Sequence, residues 1–416
     1  MDTEELNING TRVWKFSSDQ EVLGYLGIDS EIGGKSCGGL RFLPDLDAEE
    51  IAGLARAMTL KYGFLGLPQG GAKAGLFSEP GESESDRKQR LSDFGVALAP
   101  WLKNNRYFPG TDMGITIDDL NILLESGGIR LKPWQLGCRL SGVYTATTVF
   151  AGIVAACRRT NRPLNSCTFA LEGFGAVGSS LARFLHEAGG CVTAVSIKSG
   201  AVYNKQGLDI PLLLAKVADG EKNLFLRLPG VKYINREELL ELPVDILSPC
   251  ARNNSVTSHN ARNIKAWALI SGANNPVTLE AEKILLSRDV LCIPDFVTNS
   301  GGVLGGTMAF AGIGKHRIIR FIKDSFHPVY TDLFITSEKH GISIREYAEN
   351  LAMARHRQIK MDCENPTITG KIFRLGLGCY RAGLIPKSLT GRISLPYFTK
   401  LPVFGEYKQP EQEGQE

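Results

Sequence analysis

The first ninth or so of the chain alternates short apolar runs with polar turn residues. Over residues 1 to about 45 the apolar runs are separated by Gly and Asp, which predicts strands and turns opening an α/β domain. Asp47 then precedes an acidic pair and apolar residues spaced by three and four, namely Ile51, Leu54, Ala55 and Met58. This spacing predicts an amphipathic helix with an acidic first turn, and the helix carries Lys61 at its end.

Helical patterns dominate the next hundred residues. The polar stretch 79–90 is either a loop or the start of a helix. Residues 91–102 follow with a helical pattern that packs on Phe94, Leu98 and Trp101, and a shorter helix is predicted at 118–130. Small and apolar residues from 141 to 158 predict a long helix joining two domains.

The second half of the chain alternates buried strands with helical segments. A strand at 167–172 is followed by a helix at 179–188 and a second strand at 191–197, and further strands are predicted at 244–248, 268–271 and 290–292. Such alternation predicts a mostly parallel sheet that binds ligands at the carboxyl ends of its strands. From about residue 316 the pattern returns to long helices.

Length and charge restrict the class of protein. At 416 residues the chain suits two domains, each with its own core, and 43% hydrophobic with 22% charged residues is ordinary for a globular protein. A net charge of +3 gives no electrostatic argument for binding nucleic acid or membranes. No apolar run approaches the roughly 18 residues that span a bilayer, and the acidic N-terminus lacks the apolar core of a secretory signal.

The cysteine pattern predicts the redox environment. The nine cysteines are odd in number and scattered, and no C-x-x-C pair occurs. This argues against a disulfide framework and a structural zinc site, so we expect no metal centre and reduced thiols in a cytoplasmic protein.

Two glycine-rich segments are candidates for chemistry. In 67–76, Lys73 lies among three glycines and two alanines, where poor solvation would lower the pKa of its amine and make it a base. The alternative is a glycine-rich turn with a surface lysine. The second segment, Gly173-Phe174-Gly175-Ala176-Val177-Gly178, lies between a predicted strand and a predicted helix. That context is typical of dinucleotide binding, in which a helix N-terminus approaches a pyrophosphate.

The order of several motifs resembles one enzyme family. Gly38-Gly39-Leu40-Arg41, Lys61, the Lys73 segment and Pro109-Gly110-Thr111-Asp112 follow one another as in the substrate domain of the glutamate/leucine/phenylalanine/valine dehydrogenases. The resemblance continues through Thr145, 173–178, 272–276 and 294–303, and so covers most of the chain.

The resemblance implies a domain plan. An N-terminal α/β substrate domain would span 1–145 and a Rossmann-type dinucleotide-binding domain 146–320. C-terminal helices at 321–405 would pack back on the first domain. The polar residues 406–416 indicate a disordered tail. The family also implies a symmetric homo-oligomer.

The resemblance also implies roles for individual residues. Lys73 and Asp112 would be catalytic, and Lys61 would bind the substrate's α-carboxylate. The alternatives without a function are a turn lysine for Lys73, a loop aspartate for Asp112 and a surface lysine at a helix end for Lys61. Further substrate-binding positions would be Gly38, Gly39 and Met58. Cofactor-binding positions would be the 173–178 segment, Cys250, Ala251, Asn274 and Asn299. Thr145 would lie near the nicotinamide carboxamide, or would be a helix-interior threonine bonded to its own backbone.

Departures from the family pattern bear on specificity. Cys37 stands where glutamate-specific members carry a lysine, and Gly306 where they carry a serine. Because an unpaired buried carboxylate is costly, we expect a non-acidic L-amino acid, or its 2-oxo acid and ammonia, as substrates. The alternatives are a glutamate dehydrogenase with a rearranged pocket and a non-catalytic nucleotide-binding homologue with a regulatory role.

The cofactor is NAD or NADP. The second strand of the dinucleotide unit ends at Lys198-Ser199 without an acidic residue for a ribose hydroxyl, which favours NADP unless Lys198 is simply a solvated turn lysine. Two more departures bear on the activity itself. Ala74 replaces a glycine that often follows the catalytic lysine, and Arg252-Asn253-Asn254 replaces a more usual Leu-Glu-Asn.

Overall fold

The structure is a computed structural model that describes residues 1–18, 21–130, 140–219, 225, 228–381 and 383–405. The predicted tail at 406–416 lies outside these residues. Two sheets organise the described chain, one in each half, and helices cover them. Within the described residues, no helix combines the length and apolarity that crossing a membrane requires.

The first sheet mixes antiparallel and parallel strands. Its strands are β1 (Asp2–Ile8), β2 (Thr11–Ser18), β3 (Glu21–Ile28), β4 (Ser36–Leu43), β5 (Gly70–Phe77) and β6 (Tyr107–Thr111). They lie in the order β1-β2-β3-β5-β4-β6, with β4 parallel to both β5 and β6. Because β4 lies between β5 and β6, side chains from these three strands lie side by side on one face of the sheet.

Helices cover both faces of this sheet. They are α1 (Ala48–Leu65), α2 (Glu84–Lys103) and α3 (Ile117–Ser126). Asp47 caps α1 by accepting from the Glu50 N–H, and Gly66 ends it in a left-handed conformation with φ +76°. On the face opposite α1, Phe94 of α2 meets Phe16 edge-on with ring centroids 5.7 Å apart.

The second sheet is a doubly wound parallel sheet with two antiparallel strands at one edge. Its strands are β7 (Thr168–Glu172), β8 (Cys191–Ile197), β9 (Gly200–Tyr203), β10 (Lys232–Ile234), β11 (Ile246–Pro249), β12 (Ala268–Ile270) and β13 (Leu291–Ile293). The order is β10-β9-β8-β7-β11-β12-β13, and β8, β7, β11, β12 and β13 run parallel. The chain moves outward from β7 and returns on its other side at β11. The crevice for a ligand therefore lies at the carboxyl ends of β7 and β11.

Helices connect these strands and then return to the first domain. They are α4 (Ser141–Arg159), α5 (Ala176–Glu187), α6 (Ile210–Ala218), α7 (Arg236–Leu240), α8 (Leu279–Leu286), α9 (Asp295–Thr298), α10 (Gly301–Phe310), α11 (Lys315–His340), α12 (Ile344–Glu364), α13 (Ile368–Arg381), α14 (Lys387–Ile393) and α15 (Leu395–Thr399), with 3-10 turns at Leu164–Ser166 and Pro402–Phe404. Arg355 of α12 donates to the Phe64 carbonyl of α1 over 2.7 Å. The predicted α/β fold, with C-terminal helices returning to the first domain, is confirmed.

Several local features were predicted wrongly or not at all. The glycine-rich segment around Lys73 is the buried central strand β5, since its small residues let α1 pack closely, and a Cβ on Gly71 would lie 2.2 Å from the Thr59 nitrogen. Pro109 and Gly110, which are residue types that favour a turn, lie within β6 instead. The helix predicted at 118–130 is α3, which ends at Ser126, four residues before the predicted end. The antiparallel pair β9 and β10 was not predicted. The domain boundaries at 145 and 320 stay a prediction.

The contact between α1 and α12 yields a stability prediction. A Cβ on Gly63 would lie 2.3 Å from the Ala352 carbonyl oxygen. Gly63→Ala should therefore destabilise the protein by about 1–3 kcal/mol through overpacking, read as a lower midpoint of urea denaturation. In the matched control Gly378→Ala, the new Cβ meets no atom within 4 Å, and the midpoint should stay or rise. Equal midpoints for both variants would contradict the packing argument.

Candidate active site

A lysine and an aspartate meet across β4 of the first sheet. Lys73 lies in β5 and is only 2% exposed, and its ammonium contacts the carboxylate of Asp112, which directly follows β6. Gly39 of β4 lies between them, where a Cβ would come within 2.8 Å of the Asp112 Cβ and 3.2 Å of the Lys73 Nζ. Only glycine at position 39 leaves room for this pair.

Arg41, for which no role was predicted from the sequence, completes the cluster. Its Nε donates to Asp112 Oδ2 over 3.2 Å, and its Nη1 donates to Glu50 Oε1 over 2.5 Å. The same Nη1 also donates to Asn253 Oδ1 of the second domain over 3.1 Å. The guanidinium is 2% exposed, so its charge is balanced within the protein. Its place in the G-G-L-R segment was the signal that could have identified it.

The charges of this cluster shift the pKa values of Asp112 and Lys73. Burial alone would raise the pKa of the Asp112 carboxyl, but the charges and hydrogen bonds of Lys73 and Arg41 outweigh it and hold that pKa well below its usual range. Burial lowers the pKa of the Lys73 amine; Asp112 opposes this shift and Arg41 adds to it. The site therefore keeps Asp112 ionised and makes Lys73 easier to deprotonate than an ordinary lysine.

A second buried lysine lies at the junction of the two domains. Lys61 of α1 is 4% exposed, and its Nζ donates to Asn274 Oδ1 of the second domain over 3.0 Å. Burial lowers the pKa of this amine to about 8, with Asp295 opposing the shift and Lys73 adding to it. Lys61 is therefore a buried lysine with a partner from the other domain, not a surface residue at a helix end.

The predicted fingerprint forms a tight turn between β7 and α5. Gly173 has φ +100°, which favours glycine, and a Cβ on Gly178 would lie 1.9 Å from the Gly173 carbonyl oxygen. A Cβ on Gly175, by contrast, would meet no atom within 4 Å. Ala176 and Val177 open α5, and Phe174 is buried. The turn thus leaves open space in front of a helix N-terminus, as a pyrophosphate requires.

The carboxyl ends of β11 and β12 supply a second group of predicted residues. Cys250 and Ala251 follow β11, where a Cβ on Gly173 would come within 2.9 Å of the Ala251 Cβ. Asn299 is 3% exposed and donates through Nδ2 to the Ala273 carbonyl and to Asn274 Oδ1. Its Oδ1 is buried and has no hydrogen-bond partner among the described residues. The open turn at Gly175 and this unpartnered oxygen fit a nicotinamide dinucleotide.

Other predicted residues lie farther from this centre or face neighbouring elements. Thr145 of α4 faces α10, where a Cβ on Gly302 would come within 2.5 Å of its Oγ1. Met58 is buried in the apolar core. Lys198 is an exposed turn residue after β8, and its charge acts on the carboxyl of Asp45.

The positions that bear on specificity differ in their surroundings. Cys37 is half-buried and lies close to the buried phenols of Tyr62 and Tyr107. A Cβ on Gly306 would meet nothing within 4 Å, so this side of α10 is open. A Cβ on Gly38 would lie 1.6 Å from the Ala72 carbonyl oxygen, so close strand packing alone requires glycine there.

Comparison with known proteins places the chain in a family. The model described as Glu/Leu/Phe/Val dehydrogenase, dimerisation domain, matches residues 12–127, and the model described as Glutamate/Leucine/Phenylalanine/Valine dehydrogenase matches residues 137–359. The catabolic NAD-specific glutamate dehydrogenase of Bacillus subtilis is 37% identical over 295 residues, covering 67% of this chain and 68% of that protein. The NAD-specific glutamate dehydrogenase of Staphylococcus aureus is 35% identical over 294 residues, 67% of this chain and 70% of that protein.

Solved structures have the same fold. The hetero-hexameric glutamate dehydrogenase of Thermus thermophilus in its leucine-bound form has a TM-score of 0.71 at 24% identity, covering 86% of this chain and 88% of that one. The L-tryptophan dehydrogenase of Nostoc punctiforme has a TM-score of 0.58 at 24% identity, covering 84% and 97%. The chain therefore belongs to the glutamate/leucine/phenylalanine/valine dehydrogenase family of amino-acid dehydrogenases.

Proposed function

We propose that the protein catalyses NAD-dependent oxidative deamination of a non-acidic L-amino acid, or the reverse reductive amination of its 2-oxo acid. The observation that carries this proposal is the cluster of Lys73, Asp112 and Arg41, with Lys61 at the same domain junction. Such a cluster combines a base of lowered pKa, an ionised proton acceptor and a second cation for a carboxylate.

Lys61 would bind the substrate's α-carboxylate. Its amine is charged below pH 8, since burial lowers its pKa only to about 8, and its hydrogen bond to Asn274 fixes its direction. A carboxylate would add an opposite charge in direct contact with this ammonium, whose hydrogen-bond partner Asn274 is neutral. This contact is made equally in the ground state and in the transition state, so it would contribute to binding more than to the chemical step.

Lys73 and Asp112 would move the protons of the reaction. In deamination, the Asp112 carboxylate accepts a proton from the substrate ammonium. Hydride acceptance from the α-carbon is the chemistry that a nicotinamide dinucleotide supplies when bound. Neutral Lys73 then takes a proton from the water that adds to the imine carbon, and the resulting carbinolamine loses ammonia to give the 2-oxo acid.

The cofactor we propose is NAD. The relatives at 35–37% identity are NAD-specific by name, so the preference for NADP drawn from Lys198 gains no support from them. The turn at 173–178 and the N-terminus of α5 would hold the pyrophosphate. Thr145, Cys250, Ala251, Asn274 and Asn299 would surround the nicotinamide, with the unpartnered Asn299 Oδ1 as an acceptor for its carboxamide.

Assembly and location are also proposals. One matching family model describes a dimerisation domain, and a structure of the same fold is a hetero-hexamer, so we propose a homo-oligomer of this chain. The scattered cysteines favour the cytoplasm.

Two classes of substrate, non-acidic amino acids and glutamate, are each favoured by one observation. Cys37 and the open space at Gly306 favour an apolar or aromatic side chain, because neither position offers a cation or hydroxyl to a second carboxylate. The names of the curated relatives favour glutamate. Turnover of different 2-oxo acids, with ammonia and with NADH or NADPH, is followed by the loss of reduced-nicotinamide absorbance. This assay tests the activity and decides between the two substrates.

Removing the proposed base should abolish most of the activity. Lys73→Ala should lower kcat by about 10²–10⁴-fold, since proton transfer by a positioned group contributes that much, while NADH binding stays nearly intact. Steady-state kinetics and NADH fluorescence titration measure the two effects. The control Lys88→Ala removes an exposed lysine paired with Glu84 and should leave both unchanged. A Lys73→Ala enzyme with a large fraction of the wild-type rate would disprove this role.

The low pKa of Lys61 predicts how binding depends on pH. Because this amine is charged below its pKa and neutral above it, the affinity for a 2-oxo acid should be constant below about pH 8. Above that pH the dissociation constant should rise roughly tenfold per unit, since binding then includes protonation of Lys61. Quenching of bound NADH without ammonia measures this constant. The Lys61→Ala variant should bind the 2-oxo acid weakly at every pH. If its dissociation constant rose with pH as steeply as that of the wild type, the proposed role of Lys61 would be refuted.

The pocket departures yield a test of specificity. The wild type should prefer 4-methyl-2-oxopentanoate or an aryl pyruvate to 2-oxoglutarate. Cys37→Lys combined with Gly306→Ser should shift the ratio of kcat/KM toward 2-oxoglutarate by about one to two powers of ten, because a charge-assisted hydrogen bond is worth about 1.5–3 kcal/mol. The single variant Gly306→Ser serves as the control without added charge. If the wild type already prefers 2-oxoglutarate, the non-acidic substrate is wrong and the dehydrogenase activity stands.

A further inference from the structure

The segment after β11 is fixed on the second domain from both sides. The Cys250 N–H donates to the Glu172 carbonyl over 2.7 Å, and the Asn254 N–H donates to the Asn275 carbonyl over 2.9 Å. Ser255 Oγ donates to Glu172 Oε2 over 2.9 Å, and Asn254 holds the segment in a turn with φ +53°. Residues 252 and 253, between these anchors, are therefore presented from a rigid support.

Both of these residues reach the first domain. Arg252 Nη1 donates to Asp45 Oδ2 over 2.6 Å. Asn253 Oδ1 accepts from Arg41 Nη1 over 3.1 Å. The two contacts span the cleft between the domains, and they are made by adjacent residues of one segment.

The two contacts differ in their surroundings. The Arg252 and Asp45 side chains are 34% and 54% exposed, and ion pairs in such settings contribute little. Arg41 is 2% exposed, so a lost partner of its guanidinium cannot simply be replaced by bulk water. The hydrogen bond from Arg41 to Asn253 is therefore the one of the two contacts whose loss would affect the candidate active site.

Arg41 links this contact to the proposed catalytic pair. Its Nη1 is shared by Asn253 and Glu50, while its Nε donates to Asp112 over 3.2 Å. Glu50 and Asp112 belong to the first domain, so among these acceptors Asn253 alone makes the orientation of the guanidinium depend on the second. A movement that separated the two domains at this point would remove this acceptor from Arg41.

We propose that Asn253 is a positioning residue that couples closure of the cleft to the placement of Asp112, through Arg41. This inference rests on the proposed function and deepens it. The dinucleotide-binding domain would thereby place the proton acceptor of the substrate domain only when the two domains meet. A contact made in the closed state alone contributes to kcat rather than to cofactor affinity.

Asn253→Ala tests the coupling. We expect kcat to fall about tenfold, while the dissociation constant of NADH changes less than twofold. The pH profile should move as well. Lys73 faces Asp112, Arg41 and Glu50, and its charge also acts on Lys61. Because the Arg41 charge lowers the pKa of Lys73, a displaced Arg41 should shift the ascending limb of the deamination rate to higher pH.

Two further variants separate this role from a structural one. Asn253→Gln keeps a neutral carbonyl oxygen and should recover most of the rate, whereas Asn253→Ser, which is shorter, should behave like Asn253→Ala. Arg252→Ala removes the exposed ion pair on the same segment and should leave the pH profile unchanged. NADH titration of each variant verifies that the second domain is folded.

The outcomes separate a failure of the coupling from a failure of the proposed function. A wild type that turns over, together with an Asn253→Ala variant of unchanged kcat and pH profile, would overturn the coupling alone. An Arg252→Ala variant that reproduces both changes would also overturn it, because the effect would then belong to closure in general. A wild type without turnover on every 2-oxo acid would overturn the proposed function and the coupling with it.

Discussion

The site depends on the ion pair between Lys73 and Asp112. A lysine placed in the middle of a covered strand is tolerated only if an opposite charge lies within contact, since an isolated buried charge is very costly. Breaking such a pair by removing one partner costs about 3–5 kcal/mol. The neighbouring strand must therefore carry Gly39, because any side chain there would separate the two groups.

Much of this site could be predicted from short stretches of sequence. The helical spacing before Lys61 correctly placed that lysine on α1, and the glycines and alanines around Lys73 indicated a poorly solvated amine. The turn at 173–178 was recognisable because its glycines have to satisfy local constraints of conformation and packing. In each case the physical cause lies within a few residues of the effect.

Features that depend on distant residues could not be predicted in this way. The strand β5 was not predicted, because glycine is common in turns and its packing partner α1 is known only from the fold. Arg41 and Asn253 are 212 positions apart, and no local pattern predicts their hydrogen bond. Lys198 lies at the end of β8, where it suggested a phosphate, and the relatives give that interpretation no support.

The return of α12 to α1 has a consequence for synthesis of the chain. Arg355 and the Phe64 carbonyl that it binds are 291 positions apart, so the first domain is completed by residues that leave the ribosome late. At about 5–20 residues per second, one face of α1 stays uncovered for about 15–60 s after it emerges. During that time the nascent chain exposes apolar surface that the finished protein hides. The first domain to be translated is thus not the first that can finish folding.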